Sequence, residues 1–148
     1  NTAPARIFLG DGGAMLLGLI SATLGIKLHF PDVAPSVSWM VPVLVLAVPI
    51  FDTTLVTVSR LRRGLVPFAS PGKDHTAHRL VALGLSHRHA VGVLYAVGVL
   101  GGLLAWFVVW FGSPVSGLVA GIIGVGTVAA IVWLERVPFE RQTPVCSR

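Results

Sequence analysis

Charge is scarce in this chain. Only 11% of its 148 residues are Asp, Glu, Lys or Arg, against roughly a quarter in soluble domains. With 54% apolar residues and a mean hydropathy of +0.84, the composition excludes an ordinary soluble domain and a disordered segment alike. Cysteine is nearly absent too. Cys146 stands alone in a polar tail, so neither a disulfide framework nor a cysteine metal cluster can be built from this chain by itself. The sequence opens on Asn1 and has no charged, then apolar, then small-residue pattern of a cleavable leader. The expectation is a portion of something longer.

What the chain does have is long apolar runs. Four read as membrane spans of about 20 residues: Gly12 to Leu28, Val37 to Val58, Ala90 to Phe111 and Val115 to Leu134. The predicted fold is therefore all-α and polytopic, one membrane domain over 1–148, with a loop at 59–89 carrying a short helix. Pro31 and Pro35 mark a tight turn between the first two spans, and Gly112-Ser113-Pro114 marks another between the last two. The 59–89 loop holds Arg60, Arg62, Arg63, Lys73, Arg79 and Arg88, whereas the short turns hold no Lys or Arg. The positive-inside rule puts that loop on the cytoplasmic side, and Arg6, Arg136, Arg141 and Arg148 then fall inside with it. Lys27 is the exception, at the outer end of the first span, where its stem can snorkel. Trp39, Trp106, Trp110 and Trp133 lie near span ends, as interfacial belt residues do. Gly98 with Gly102, and Gly117 with Gly121, form small-xxx-small patterns for close helix packing. Gly121, Gly124 and Gly126 do not make a phosphate loop, since no strand precedes them and no Gly-Lys-Ser/Thr follows.

Three polar places fall on the cytoplasmic side in this topology. Asp11 is flanked by glycine where a loop enters a helix; it suits either capping of that helix or a hard oxygen ligand for Mg2+. Asp52 lies inside the second span, a costly place that points either to function or to a satisfied network with Thr53 or a neighbouring helix. The third place runs from Ala69 to Gly84, a turn and then a short helix with Asp74 as N-cap and Gly84 as stop. On that helix His75 and His78 share a face, with Arg79 beside them, and the three suit an anion site because Arg and His offer donors to phosphate oxygens. Zinc is disfavoured, since two histidines without a third ligand do not complete a site. Arg60, Arg62 and Arg63 read as topology anchors.

Taken in order, Asn1-x-x-Pro4-Ala5-x-Ile7-Phe8-x-Gly10-Asp11, Pro49-Ile50-Phe51-Asp52-Thr53, Asp74-His75-x-x-His78-Arg79-Leu80 and Leu85-Ser86-His87-Arg88 resemble the polyprenyl-phosphate N-acetylhexosamine-1-phosphate transferases. The resemblance runs up to the fourth span. It implies a multi-helix enzyme of the plasma (inner) membrane whose cytoplasmic face binds a UDP-N-acetylhexosamine and Mg2+. Such an enzyme moves the sugar phosphate to undecaprenyl or another polyprenyl phosphate, releases UMP, and so initiates a cell-envelope glycan such as lipopolysaccharide or teichoic acid. By position it assigns Asp11 to the metal, and Asn1 and Phe8 to the nucleotide, with Phe8 as the uracil-stacking ring. Lys73 and Asp52 join them as substrate-binding candidates, and His75, His78 and Arg79 are the catalytic candidates near the diphosphate.

The chain departs from the family in two motifs. His75-Thr76-Ala77-His78 stands where His-x-His-His is usual, which argues against the phospho-N-acetylmuramoyl-pentapeptide branch, and Gly10-Asp11-Gly12-Gly13-Ala14 stands where Gly-Asp-Ser-Gly-Ser is usual. The family's adjacent Asp pair and its Asn-x-x-Asp-Gly-x-Asp-Gly-Leu segment have no counterpart and are expected before Asn1. The expectation is thus a C-terminal portion, inactive alone and partnered by the missing N-terminal half. The lipid bilayer is the other expected partner, no nucleic acid is involved, and the glycine patterns leave room for a homodimer. The alternative is a non-catalytic membrane component, either a transporter with Asp52 and Lys27 on an ion path or a polyprenyl-phosphate binder.

Overall fold

The computed structural model describes residues 7, 9–28, 30, 33–66 and 74–137. Among them every regular element is helical: α1 (Gly10–Lys27), α2 (Pro35–Ser38), α3 (Met40–Val45), α4 (Ala47–Arg62), α5 (Thr76–Ala82), α6 (His87–Phe111) and α7 (Ser113–Glu135). The all-α expectation holds.

α6 and α7 have 25 and 23 residues, about 38 and 34 Å at 1.5 Å per residue. They are the two described helices long and apolar enough to cross a membrane. Gly112, at φ 72°, closes α6 and opens α7, a left-handed turn that glycine enters without steric cost. At the other end of α6, the Ser86 hydroxyl accepts the His89 N–H as an N-cap.

The run expected as a second continuous span is instead broken twice, and proline explains both breaks. A helix interior needs the N–H of residue i on the carbonyl of residue i−4, and proline has no N–H to give. For Pro42 that carbonyl belongs to Ser38, where α2 ends; for Pro49 it belongs to Val45, where α3 ends. Leu46 leaves helical geometry at φ −93°, ψ 16°, so α3 and α4 meet at a bend. α3 packs so closely on α6 that a Cβ added at Gly101 would collide with the Leu44 carbonyl oxygen. The close approach expected of the 98–102 pattern thus occurs at Gly101. Gly102, Gly117 and Gly121 face open space among the described residues.

Two apolar clusters hold the helices together. One joins Val37, Met40, Val41 and Leu44 to Ala105 and Val108 near the α6–α7 turn. The other, at the opposite end, joins Leu55 of α4 to Leu134 and Val137, with Phe51 and Ile131 against them. α1 buries no residue; it approaches α3 where Gly25 meets Pro42. Trp39, Trp106, Trp110 and Trp133 are all exposed, as belt residues are.

Candidate functional site

The polar end of the molecule is where α4 finishes, α5 lies across it and α7 returns. α4 and α5 both stop in the same way. After α4, Gly64 (φ 69°) and Leu65 donate back to the Leu61 and Arg60 carbonyls; after α5, Gly84 (φ 98°) and Leu85 donate to Val81 and Leu80. Each is a glycine-dependent C-terminal motif that satisfies the last carbonyls. Gly84 therefore does stop α5 as expected. Asp74 does not cap it: the N-cap position belongs to His75, and Asp74 is drawn to α4 instead.

Asp74 is buried between two arginines. Its carboxylate accepts from Arg60 Nε at 2.7 Å and Nη2 at 2.9 Å, and from Arg63 Nη2 at 3.1 Å. The Arg60 guanidinium, hydrogen-bonded to it in bidentate fashion, holds the Asp74 carboxyl well below the usual carboxylate range, against the opposing pull of burial. Arg60 and Arg63 therefore do more than anchor topology.

Arg79 completes this buried layer. Its side chain is 0% exposed, and its guanidinium reaches three elements: Nε donates to the Asp74 carbonyl at 3.0 Å, Nη1 to the Leu134 carbonyl at 2.7 Å, and Nη2 to Ser59 Oγ at 2.6 Å and Glu135 Oε1 at 3.2 Å. Arg63 also donates to the Ser59 carbonyl and hydroxyl. Among the described residues no buried side-chain nitrogen or oxygen lacks a hydrogen-bond partner. The sequence places Arg79 beside the histidines at an anion; the structure turns it inward. The acceptors that draw it in are the Leu134 carbonyl and Glu135 at the α7 end, with Ser59 of α4.

The histidines lie on the opposite face. Thr76 and Arg79 are buried, whereas His75 and His78 are exposed, so the two pairs, each three residues apart, divide α5 into an inner and an outer side. His75 is held by Asp52: its Nδ1 lies 2.8 Å from Asp52 Oδ2, while Oδ1 accepts both the backbone N–H and the hydroxyl of Thr76 at 2.6 Å each. Asp52 thus has the neighbouring-helix network that one of its two readings required. Thr53 is not part of it, since its hydroxyl turns back to the Pro49 carbonyl at 2.7 Å.

Asp11 stands apart at the second position of α1, exposed, with Leu9 as a cap residue that makes no side-chain bond. It sits in the first turn of α1, where its charge offsets the positive end of the helix dipole, and it makes no hydrogen bond to a described residue. Mg2+ favours one or two carboxylates with water and phosphate oxygens completing the shell, and Asp11 fits that pattern. Asp52 and Asp74 do not, because hydrogen-bond donors already engage both oxygens of each. Among the described residues no three His, Cys, Asp or Glu side chains gather as a metal cluster. Asn1, Phe8 and Lys73 lie outside the described residues.

Reasoning from sequence missed Ser59, Thr76 and Glu135. A signal existed for the first: Ser59 and Arg63 are four apart on α4, the spacing at which helical side chains meet. Thr76 directly follows His75 at a helix start. Glu135 carried none, being 56 residues from Arg79.

Comparison with known proteins gives these residues a context. The chain is 37% identical over 155 aligned residues, 97% of its length, to a decaprenyl-phosphate N-acetylglucosaminephosphotransferase of Mycolicibacterium smegmatis. It is 41% identical over 98 residues to a probable undecaprenyl-phosphate N-acetylglucosaminyl 1-phosphate transferase of Bacillus subtilis. A match to the undecaprenyl-phosphate alpha-N-acetylglucosaminyl 1-phosphate transferase of Salmonella typhi is 31% identical over 105 residues. The matches cover 37%, 27% and 26% of those relatives' own lengths respectively. No family model and no solved structure matches the chain.

Proposed function

This chain belongs to the polyprenyl-phosphate N-acetylhexosamine-1-phosphate transferases, and on that premise we propose that the protein transfers N-acetylglucosamine 1-phosphate from a UDP-sugar to a polyprenyl phosphate at the cytoplasmic face of the plasma membrane. The product would begin a lipid-linked cell-envelope glycan. The observation that carries the proposal is the 37% identity maintained over 97% of the chain. Arg60, Arg62, Arg63, Arg79 and Arg88 at one end of the bundle support the orientation. The chain spans 26 to 37% of those relatives' lengths, and further residues of the intact protein are proposed to complete the site.

The reaction joins an acceptor phosphate oxygen to the β-phosphorus of the UDP-sugar and breaks the bond from that phosphorus to the bridging oxygen. UMP leaves with that oxygen and its electron pair. Such a transfer asks for positioning and charge neutralisation more than for covalent help. Mg2+ would supply charge neutralisation on the diphosphate, held by Asp11 together with phosphate and water oxygens. His75 and His78 turn ring nitrogens to the open side of α5, where they can donate to or accept from phosphate oxygens. Arg79 serves as a positioning residue that fixes α5 to α4 and α7. By resemblance Asn1 and Phe8 would meet the nucleotide, and Lys73 is a further substrate-binding candidate. An ion path through Asp52 gains no support, since both its oxygens are engaged.

The test is formation of polyprenyl diphosphate N-acetylglucosamine, with UMP release, by the intact protein in membranes supplied with UDP-N-acetylglucosamine and Mg2+. Product is expected from the parent, and Asp11→Asn is expected to lower it by ~10²-fold or more. A folded parent that makes no product from any UDP-N-acetylhexosamine would overturn the proposal and leave a lipid-binding or transport role.

A further inference from the structure

We propose that Asp52 is a positioning residue that sets the tautomer and aim of His75, rather than a residue that touches substrate. The starting point is that both oxygens of its carboxylate are engaged by the residues at the start of α5. Oδ1 receives two donors from Thr76, and Oδ2 faces His75 Nδ1 at 2.8 Å. A carboxylate only accepts, so the hydrogen of the neutral ring sits on Nδ1. Nε2 is then the unprotonated nitrogen, and with the side chain 52% exposed it lies on the open side of α5 shared with His78.

The double contact to Thr76 gives the arrangement its rigidity. One donor is the backbone N–H of the residue next to His75, so Asp52 holds the ring and the peptide that carries it together. Fixing the second nitrogen of an imidazole is the general means by which a protein chooses which nitrogen does chemistry. The chemical consequence rests on the transferase reading: Nε2 is ready to take a proton from the acceptor phosphate before its oxygen attacks, and Nδ1–H stays on Asp52.

The experiment uses the intact protein in lipid nanodiscs, labelled with 15N at histidine and assigned through His75→Gln. Ring shifts in the parent are expected to show Nδ1 protonated and Nε2 bare. Asp52→Asn keeps an oxygen for Thr76 but turns an N–H toward Nδ1, and it is expected to move the proton to Nε2. An unchanged tautomer in Asp52→Asn, or a parent already protonated at Nε2, overturns the proposal.

In the transfer assay, Asp52→Asn and His75→Gln are each expected to lower kcat by ~10²-fold with little change in KM for the UDP-sugar. The double variant is expected to fall no further than the worse single one, because one residue acts through the other. Losses that multiply would mean an independent structural role and overturn it. Should Asp52→Asn fail to accumulate, Asp52→Glu retains the charge and is expected to keep the Nδ1–H tautomer with part of the rate; the opposite tautomer there counts against the proposal. The ring shifts need no turnover, so a parent without product would sink the transferase reading while the positioning claim is still decided.

Discussion

α5 carries two residue pairs at the same spacing, and folding treats them in opposite ways. Thr76 and Arg79 turn inward and meet Asp52, Ser59, Leu134 and Glu135; His75 and His78 turn outward, and among the described residues only His75 is held, by one nitrogen. The inner face is charged yet saturated, so its work is to fix the helix. The outer face keeps unspent ring nitrogens, so it is the face with chemistry to offer. A charged residue beside a candidate site is thus not thereby part of it.

The contrast can be broken from the inside first. Arg79→Ala removes the buried guanidinium that joins the Asp74 and Leu134 carbonyls, Ser59 and Glu135, and a loss of about 3 kcal/mol is expected in denaturant unfolding of the detergent-solubilised protein. Loss of activity without loss of stability would place Arg79 at the substrate instead. Gly101→Val is next: it forces a side chain against the Leu44 carbonyl, and about 1 to 3 kcal/mol is expected to be lost. A neutral effect would mean that α3 and α6 do not approach so closely.

Acid should act on the Asp74 clamp. Asp74 holds its charge below the ordinary carboxylate range, so the unfolded chain takes up its proton before the folded one does. Its contribution is whole above about pH 4 and fades as pH falls through the lower folded value. The thermal midpoint of Asp74→Asn is expected to start lower than that of the parent and to decline less between pH 5 and pH 2. Parallel curves would contradict the clamp. The smallest stability effect belongs to the outer face: His78→Ala is expected to stay within about 0.5 kcal/mol of the parent while product formation falls ~10²-fold.

Much of this was legible in the sequence. The last two spans agree with α6 and α7 within a few residues, because apolar runs bounded by glycine and charge leave little choice. The broken second span was legible too, since Pro42 and Pro49 stood in plain view inside an apolar run whose hydropathy masked them. The orientation of α5 was not. Both i,i+3 pairs satisfy a helix equally, and only Ser59 and Glu135, brought from other elements, decide which pair turns inward. The same holds for Asp52, whose depth in the span left function and a satisfied network equally open and could not name a partner 23 residues away.

The central claim, that the outer face of α5 meets the substrate, is most directly tested by thiol labelling. Cysteine is placed at His78 in a Cys146→Ser background of the intact protein, in inside-out membrane vesicles, and its reaction with an impermeant maleimide is timed with and without UDP-N-acetylglucosamine and Mg2+. The account expects ready labelling that slows severalfold when the nucleotide sugar and metal are both present. Labelling that proceeds at the same rate in both conditions, or only in right-side-out vesicles, would contradict it.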